Sequence, residues 1–338
     1  MEYRWIGRSG VRVSELCLGT MTFGHGADEA QSARMVGLAL DSGINFFDTA
    51  NAYAGGTSEE FLGRALKGKR DKVILATKFT NPMGPGPNDS GSSRVHILRA
   101  VEDSLRRLGT DYVDLYYAHH VDSYTPLEEM LRALDDLIRQ GKVRYVACSN
   151  YPAWRLCDAL WISETRNLDR FICYQASYSL VVRELEQELI PLCHAKGLGV
   201  LAYSSLAGGF LSGKYKPGQR SIAGTRSEEG WVFHNRFFTP NADDTLKALI
   251  EAAESHDCSP AQAAIRWVLE QPGVSSALVG ARTIKQLEDN IKAADVRLDA
   301  ETLNRLTEIS ALPARYPYAL EKGVEQRRLS ALKMTSAT

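Results

Sequence analysis

Residues 15–24 read ELCLGTMTFG: an apolar run ends in Gly-Thr and passes straight into a loop. No G-x-G-x-x-G follows it, nor any later run. That fingerprint would open a doubly wound dinucleotide-binding sheet, so its absence argues for another parallel architecture. Seven further short runs rich in β-branched or aromatic residues come after it. They are NFFDTA (45–50), KVILATKF (72–79), VDLYYAH (113–119), VRYVACSN (143–150), FICYQASY (171–178), GVLAYSS (199–205) and SSALVGA (275–281). Helical patterns separate them. Leu127, Met130, Leu131, Leu134, Leu137 and Ile138 fall on one face of an amphipathic helix, and Leu98, Val101, Leu105 and Leu108 form a similar stripe. Thr125 reads as the N-cap of the first of these, with Pro126 at the opening helical position.

Alternating strands and helices imply parallel strands joined by helical crossovers. Eight such units over 338 residues predict an α/β fold, a closed (β/α)₈ TIM barrel, as a single domain spanning 1–338. Two segments interrupt the repeat. Residues 3–13 precede the first run and suit a short N-terminal hairpin under the barrel floor. Residues 206–240 form a long loop after strand seven, rich in Gly, Arg and aromatics, and loops of such length are usually functional.

A formal net charge of −1 gives no bulk attraction for nucleic acid or membrane surfaces. No apolar run reaches the roughly 20 residues that span a bilayer. The N-terminus lacks the apolar stretch of a secretory signal. The six cysteines show no C-x-x-C spacing and read as free thiols of a reducing compartment, so a cytoplasmic protein is expected. Nothing in the sequence specifies an oligomeric state.

Barrels of this kind carry their chemistry where the strands end and the βα loops converge. Polar residues gather there: Asp48, Thr77-Lys78, His119, Ser149-Asn150, Gln175 and Tyr203-Ser204. A carboxylate and an ammonium on neighbouring strands supply each other's counter-charge, which burial of either alone would lack. Tyr53 follows Asp48 by five residues, in a glycine-rich turn. A phenol titrates near 10 and is a poor acid at neutrality, but a nearby ammonium lowers that value. Such a tyrosine could protonate a developing alkoxide, with His119 bonding the same oxygen.

These residues resemble the aldo-keto reductase family, and the likeness covers nearly the whole chain. It is carried by INFFDTANAYAGGTSEEFLGRAL (44–66), ATKF (76–79), SLRRLGTDYVDLYYAHHVD (104–122), GKVRYVACSNY (141–151) and AYSSLAGGFLSGKY (202–215). The flavour is that of the bacterial reductases and the potassium-channel β-subunit branch. The resemblance implies NADPH-dependent reduction of aldehydes and ketones without a Rossmann fold. Tyr53 would be the general acid/base, Lys78 would lower its pKa, Asp48 would hold Lys78, and His119 would orient the carbonyl.

It further implies that Thr20, Met21, Asp48, Ser149, Asn150 and Gln175 meet the nicotinamide end of NADPH/NADP⁺, with the ring stacked on Tyr203. Ser204, Ser205, Leu206, Ala207, Gly208 and Lys214 would hold the pyrophosphate, and Gly280, Arg282, Gln286 and Asn290 the adenosine end. Gln286 stands where much of the family has a basic residue, so 2′-phosphate recognition would rest on Arg282, with Arg220 or Arg226 in support. NADH is the less favoured cofactor. Phe23, Asn51, Tyr53 and His119 are the expected contacts of a small-molecule carbonyl or alcohol, with Met21 as a further apolar wall.

His119-His120 does not read as a metal pair, because adjacent strand residues face opposite ways, and no metal is expected. Tyr318 and Lys322 match a Tyr-x-x-x-Lys spacing by chance. Trp231, Phe233, Phe237 and Phe238 either wall the substrate site or anchor the long loop, and Trp154 and Trp161 read as packing residues. NADP-linked oxidation of a sugar or secondary alcohol, or service as a cofactor-binding regulatory subunit, are the alternative functions.

Overall fold

In the computed structural model, residues 1–222 and 234–332 are described. The chain opens with an antiparallel hairpin of β1 (Tyr3–Trp5) and β2 (Arg12–Ser14). Eight parallel strands follow: β3 (Leu16–Gly19), β4 (Phe46–Asp48), β5 (Ile74–Phe79), β6 (Val113–Ala118), β7 (Val143–Ser149), β8 (Cys173–Ser177), β9 (Gly199–Tyr203) and β10 (Val274–Val279). They pair in sequence order, and β10 closes on β3 to complete the barrel. This is the expected TIM barrel, with its hairpin. Seven of the observed strands lie inside the runs read from sequence, several shorter at their ends, and β10 begins one residue before its run, at Val274.

Helices α1 (Glu29–Asp41), α2 (Thr57–Ala65), α3 (Arg94–Leu108), α4 (Leu127–Arg139), α5 (Ala153–Thr165) and α6 (Leu189–Lys196) form the outer layer with α7 (Ala242–Ser255), α8 (Pro260–Leu269) and α9 (Ile284–Ile291). The chain continues through α10 (Ala300–Ile309) and α11 (Tyr318–Leu332). The α4 stripe buries Leu127, Met130, Leu131, Leu134 and Leu137 against the barrel, as its spacing requires. The start of α4 differs from expectation. Pro126 takes the cap position without a side-chain bond, and Thr125 donates its hydroxyl to Asp122 Oδ2 at 2.6 Å. Asp122 also accepts the N–H groups of Tyr124 and Thr125, so an aspartate three residues earlier outcompetes the threonine as turn-maker.

Two apolar cores follow from the alternation of strand side chains. The outer core lies between strands and helices; the inner one fills the lumen and includes Cys17, Phe46, Ala76, Leu115, Tyr117, Ala147, Cys173 and Leu201. Ile6, Val11 and Val13 of the hairpin join the inner core, so the hairpin does close the floor. There Glu15, fully buried, accepts bonds from Arg4 Nη2 at 3.1 Å and Arg266 Nη1 at 3.2 Å. All six cysteines are free, and four of them are buried.

Candidate active site

The inner register dictates which strand-end residues face the mouth. Two residues beyond lumen-facing Phe46, Ala76, Tyr117, Ala147, Cys173 and Leu201 come Asp48, Lys78, His119, Ser149, Gln175 and Tyr203. A period of two therefore delivers five polar side chains to one end of the barrel, and His119, one residue past the end of β6, joins them. The backbone is bent sharply where strands give way to loops: Thr80 (φ 101°), Asn150 (φ 58°) and Ser204 (φ 62°) all adopt left-handed conformations. Such strained non-glycine residues cluster at functional sites.

Lys78, with no solvent exposure, is the hub. Its Nζ donates to the Asp48 carboxylate, to the Thr49 carbonyl at 2.8 Å and to Tyr53 Oη at 3.5 Å. Burial alone would push the Lys78 ammonium down, but Asp48 and Tyr53 more than offset it and hold it above its ordinary value. Burial pushes the Asp48 carboxyl up, while Lys78 and a 2.8 Å bond from Gln175 Nε2 pull it back. Tyr53 departs from expectation. Its phenol lies above the ordinary value, because burial of the hydroxyl end outweighs the lowering by Lys78. The ring is half-buried at the mouth, so Tyr53 stands there as a neutral phenol with a proton to give.

His119 meets Tyr53 edge-on, with ring centroids 5.9 Å apart. Burial, then Lys78 and His120, push its pKa down to about 2, so the imidazole is neutral. Asn81 Nδ2 donates to His119 Nδ1 at 3.3 Å, which leaves the ring proton on Nε2 as a donor. Asn81 escaped the sequence reading; its signal is its place three residues after Lys78. The rings of His119 and His120 stack at 4.5 Å rather than pointing apart, because β6 ends at Ala118 and alternation ends with it. Among the described residues no group of three or more His, Cys, Asp or Glu side chains could hold a metal.

The expected cofactor residues at the ends of β7 and β9 form one network, while Gln175 on β8 joins Asp48 instead. Tyr203 Oη donates to Asn150 Oδ1 at 2.8 Å; Asn150 Nδ2 donates to Ser149 Oγ and to the His119 carbonyl, both at 3.0 Å. Ser149 thus accepts from Asn150 and keeps its own proton to donate. Gln175 spends its N–H on Asp48 and keeps its carbonyl oxygen as an acceptor. One donor and one acceptor side by side complement a carboxamide. Beyond β9, Ser204, Ala207, Gly208 and Gly209 all have positive φ, and Ser205 carries a buried hydroxyl with no partner. An unsatisfied hydroxyl beside a left-handed backbone suits an oxyanion such as a pyrophosphate. Lys214 is exposed nearby in sequence.

After β10, Thr283 caps α9 by accepting the Gln286 N–H at 3.2 Å, and Gln286 Oε1 accepts the Arg282 N–H at 2.9 Å. Asn290 Nδ2 donates weakly to the Gly280 carbonyl at 3.4 Å. Arg282 lies beside Gly26, where an added Cβ would come within 3.7 Å of its Cγ. Arg220 is held bidentately by Asp243, both contacts 2.7 Å. Arg226, Trp231 and Phe233 lie outside the described residues, as does the Lys322 side chain.

Other expected residues fall elsewhere. Phe23 is fully buried in the outer core, so it does not wall the mouth, whereas Met21 is 41% exposed. Asn51 is buried with neither amide atom bonded; it lines a cavity of about 220 Å³ with Met83, His96, Arg99 and Arg107. Thr20 donates to the Asp48 carbonyl at 3.1 Å and joins Ser58 at 2.9 Å, a structural use of its hydroxyl. Phe237 is fully buried, and Phe238 meets Phe210 edge-on at 5.3 Å, so these aromatics anchor the loop. Trp154 and Trp161 are exposed, not packed: seven residues apart, they share the outer face of α5.

Comparison with known proteins agrees with this geometry. The Aldo/keto reductase family model matches residues 15–311. "Uncharacterized oxidoreductase YrpG" of Bacillus subtilis (strain 168) is 41% identical over 322 residues, covering 91% of this chain and 96% of that protein. Two plant proteins, each named "Probable voltage-gated potassium channel subunit beta", are similar to it as well. The one from Oryza sativa subsp. japonica is 38% identical and the one from Arabidopsis thaliana 35%, each covering 88% of this chain and 92% of its own length. With its closed barrel, its mouth residues and these matches, the chain belongs to the aldo/keto reductase family.

Proposed function

We propose that this protein is an NADPH-dependent oxidoreductase that reduces aldehydes or ketones to alcohols. The carrying observation is Lys78, which reaches the Asp48 carboxylate and the Tyr53 hydroxyl at once in a buried position at the barrel mouth. Bound NADPH would supply the hydride to the carbonyl carbon. The chain's own residues do the rest. His119 Nε2–H and Tyr53 Oη–H are the two donors for the carbonyl oxygen, and Tyr53 gives its proton as the alkoxide develops. The Lys78 ammonium stabilises the phenolate left behind, and Asp48 and Gln175 fix Lys78. Ser149 and Gln175 offer the donor and acceptor for a carboxamide, Ser205 and the turn after it suit a pyrophosphate, and Arg282 would supply the cation for a 2′-phosphate. This reading favours NADPH over NADH, with a small carbonyl compound as substrate.

The test is NADPH consumption by purified protein over a panel of nitrobenzaldehydes and methylglyoxal. Tyr53→Phe should keep NADPH affinity and lose the roughly 10²–10⁴-fold contributed by general acid catalysis. Fluorescence titration with NADPH and NADH, with Arg282→Ala beside the parent, reads the cofactor preference. Similarity to proteins named as channel β subunits favours one second reading, a cofactor-binding regulatory subunit. Cofactor binding without turnover of any carbonyl or alcohol would select it.

A further inference from the structure

Two stretches that carry the family likeness hold a buried carboxylate and a partly buried guanidinium with no part in the chemistry above. They are Glu59, in TSEEFLG (57–63), and Arg107, in SLRRLG (104–109). The fold brings them together. Glu59, on the first turn of α2, is fully buried, and its Oε2 accepts Arg107 Nε from the end of α3 at 2.7 Å. Its Oε1 accepts Thr77 Oγ1 at 2.5 Å, and Thr77 directly precedes Lys78 on β5. Arg107 Nη2 reaches Ser104 Oγ at 3.3 Å. One carboxylate thus ties three elements together beside the mouth.

The stem of Arg107 also supports the backbone behind Tyr53. The three residues after Tyr53 are all left-handed: Ala54 (φ 48°), Gly55 (φ 62°) and Gly56 (φ 102°). A side chain at Gly56 would strike Arg107, its Cβ falling 2.8 Å from Cδ and 3.0 Å from Nε. The guanidinium stem therefore lies flat against the turn. Alanine in the left-handed region persists only where its surroundings over-determine it. On the other flank, Ser58 Oγ donates to the Thr20 carbonyl at 2.8 Å and meets Thr49 Oγ1 at 2.9 Å. Tyr53 leaves this turn to reach a lysine 3.5 Å away, so a small shift of the turn would break the contact.

We propose that the Glu59–Arg107 pair is a positioning device for Tyr53, clamping the left-handed turn behind it so that the phenol stays at Lys78. The proposal rests on the catalytic reading of Tyr53 given above. Neither Glu59 nor Arg107 touches a reacting atom; both act through the tyrosine. A merely structural pair would tie α2 to α3 and leave the phenol's environment unchanged.

Three variants separate these roles. Arg107→Met removes the guanidinium, Arg107→Lys keeps a cation on a similar stem, and Thr77→Val removes one bond to Glu59 with little change of shape. Each is assayed for kcat with a nitrobenzaldehyde and for NADPH affinity by fluorescence. The Tyr53 titration is read from ultraviolet difference spectra against the same variant carrying Tyr53→Phe. Arg107→Met should lower kcat by about 100-fold, the scale of a ~1 Å misplacement, and leave NADPH affinity unchanged. Its Tyr53 midpoint should fall towards that of an ordinary phenol, because the loosened turn admits water. Arg107→Lys should recover most of both losses, and Thr77→Val should fall between.

A folded Arg107→Met protein with parental kcat and Tyr53 titration, whatever its melting temperature, would overturn the proposal. Should Arg107→Met not fold, parental kcat and a parental Tyr53 titration in Thr77→Val would overturn it equally. If the parent turns over no carbonyl, the functional reading fails, and the Tyr53 titration still decides the positioning role.

Discussion

Lys78→Met is the most informative perturbation of the mouth, because it leaves the Asp48 carboxylate buried without its cation. Asp48 is 1% exposed, and of its two side-chain partners only Gln175 Nε2, at 2.8 Å, remains. Breaking a buried ion pair from one side costs about 3–5 kcal/mol. The structure sets a ceiling on that figure, since the carboxyl can take a proton instead. Protonating an ordinary carboxyl at pH 7 costs about 4 kcal/mol, some three units above its pKa at about 1.4 kcal/mol each. The expected loss at pH 7 is therefore about 3–4 kcal/mol.

The sign of the pH dependence follows. Burial already raises the Asp48 pKa against the pull of Lys78, and without Lys78 the folded value rises further. A raised folded pKa means that the native state binds the extra proton, so stability is fully present below the unfolded carboxyl value. It is lost as pH rises through the folded one. Relative to the parent, Lys78→Met should thus be least impaired near pH 4 and lose up to about 1.4 kcal/mol per pH unit above it. Asp48→Asn/Lys78→Met removes both charges and should recover most of the loss at pH 7. Urea unfolding of the parent and both variants across this range is the assay. A Lys78→Met protein within about 1 kcal/mol of the parent at pH 7, or one whose deficit does not grow with pH, would refute the reasoning.

His119 gives a second pH signature. With its folded pKa pushed down to about 2, chiefly by burial, the unfolded chain binds the proton that the native state refuses. Stability should fall as pH drops below about 6.5. His119→Gln should remove roughly 2 kcal/mol of that loss between about pH 6.5 and pH 5 in unfolding experiments. The pH profile of kcat in the parent should carry no imidazole limb in the same range. Gly63→Ala tests the contact between α2 and α3: its Cβ would fall 2.4 Å from the Leu108 carbonyl oxygen. Backbone must move to admit it, at about 1–3 kcal/mol, read as a lowered melting temperature with an unchanged Tyr53 titration. The unbonded amide of Asn51 and Nε2 of His96 face a cavity large enough for several waters, so a crystal structure should show ordered water bonded to both.

What the sequence made legible was whatever obeys a period. The barrel followed from eight runs in alternation with helical stripes, and the mouth residues from polar side chains ending apolar strands. The same rule stops where a strand stops. The rings of His119 and His120 stack because β6 has already ended, and Thr125 lost its cap to Asp122 through turn chemistry that no stripe encodes. The pull of Lys78 on Tyr53 is legible in the sequence, but the net position of the phenol is not. The burial that outweighs that pull is a property of the assembled mouth. Trp154 and Trp161 show the reverse error, since a helical position says nothing about which face a tryptophan occupies.

Gln175 shows how tightly the donor–acceptor pair for a carboxamide and the acid are joined. Its Nε2 is committed to Asp48 Oδ2, Asp48 Oδ1 to Lys78, and Lys78 to Tyr53. The amide oxygen left to Gln175 is an acceptor suited to a carboxamide N–H. An amide that engages that oxygen therefore acts on the same side chain that restrains the carboxylate. Polar groups in a low-dielectric network polarise one another, so an amide bound at the Gln175 oxygen should be felt at the phenol through three side chains and no backbone movement. Gln175→Leu would cut that chain at its first link and also remove one of the two opposing pulls that hold the Asp48 carboxyl down. Its effect on Tyr53 should then exceed its effect on the fold.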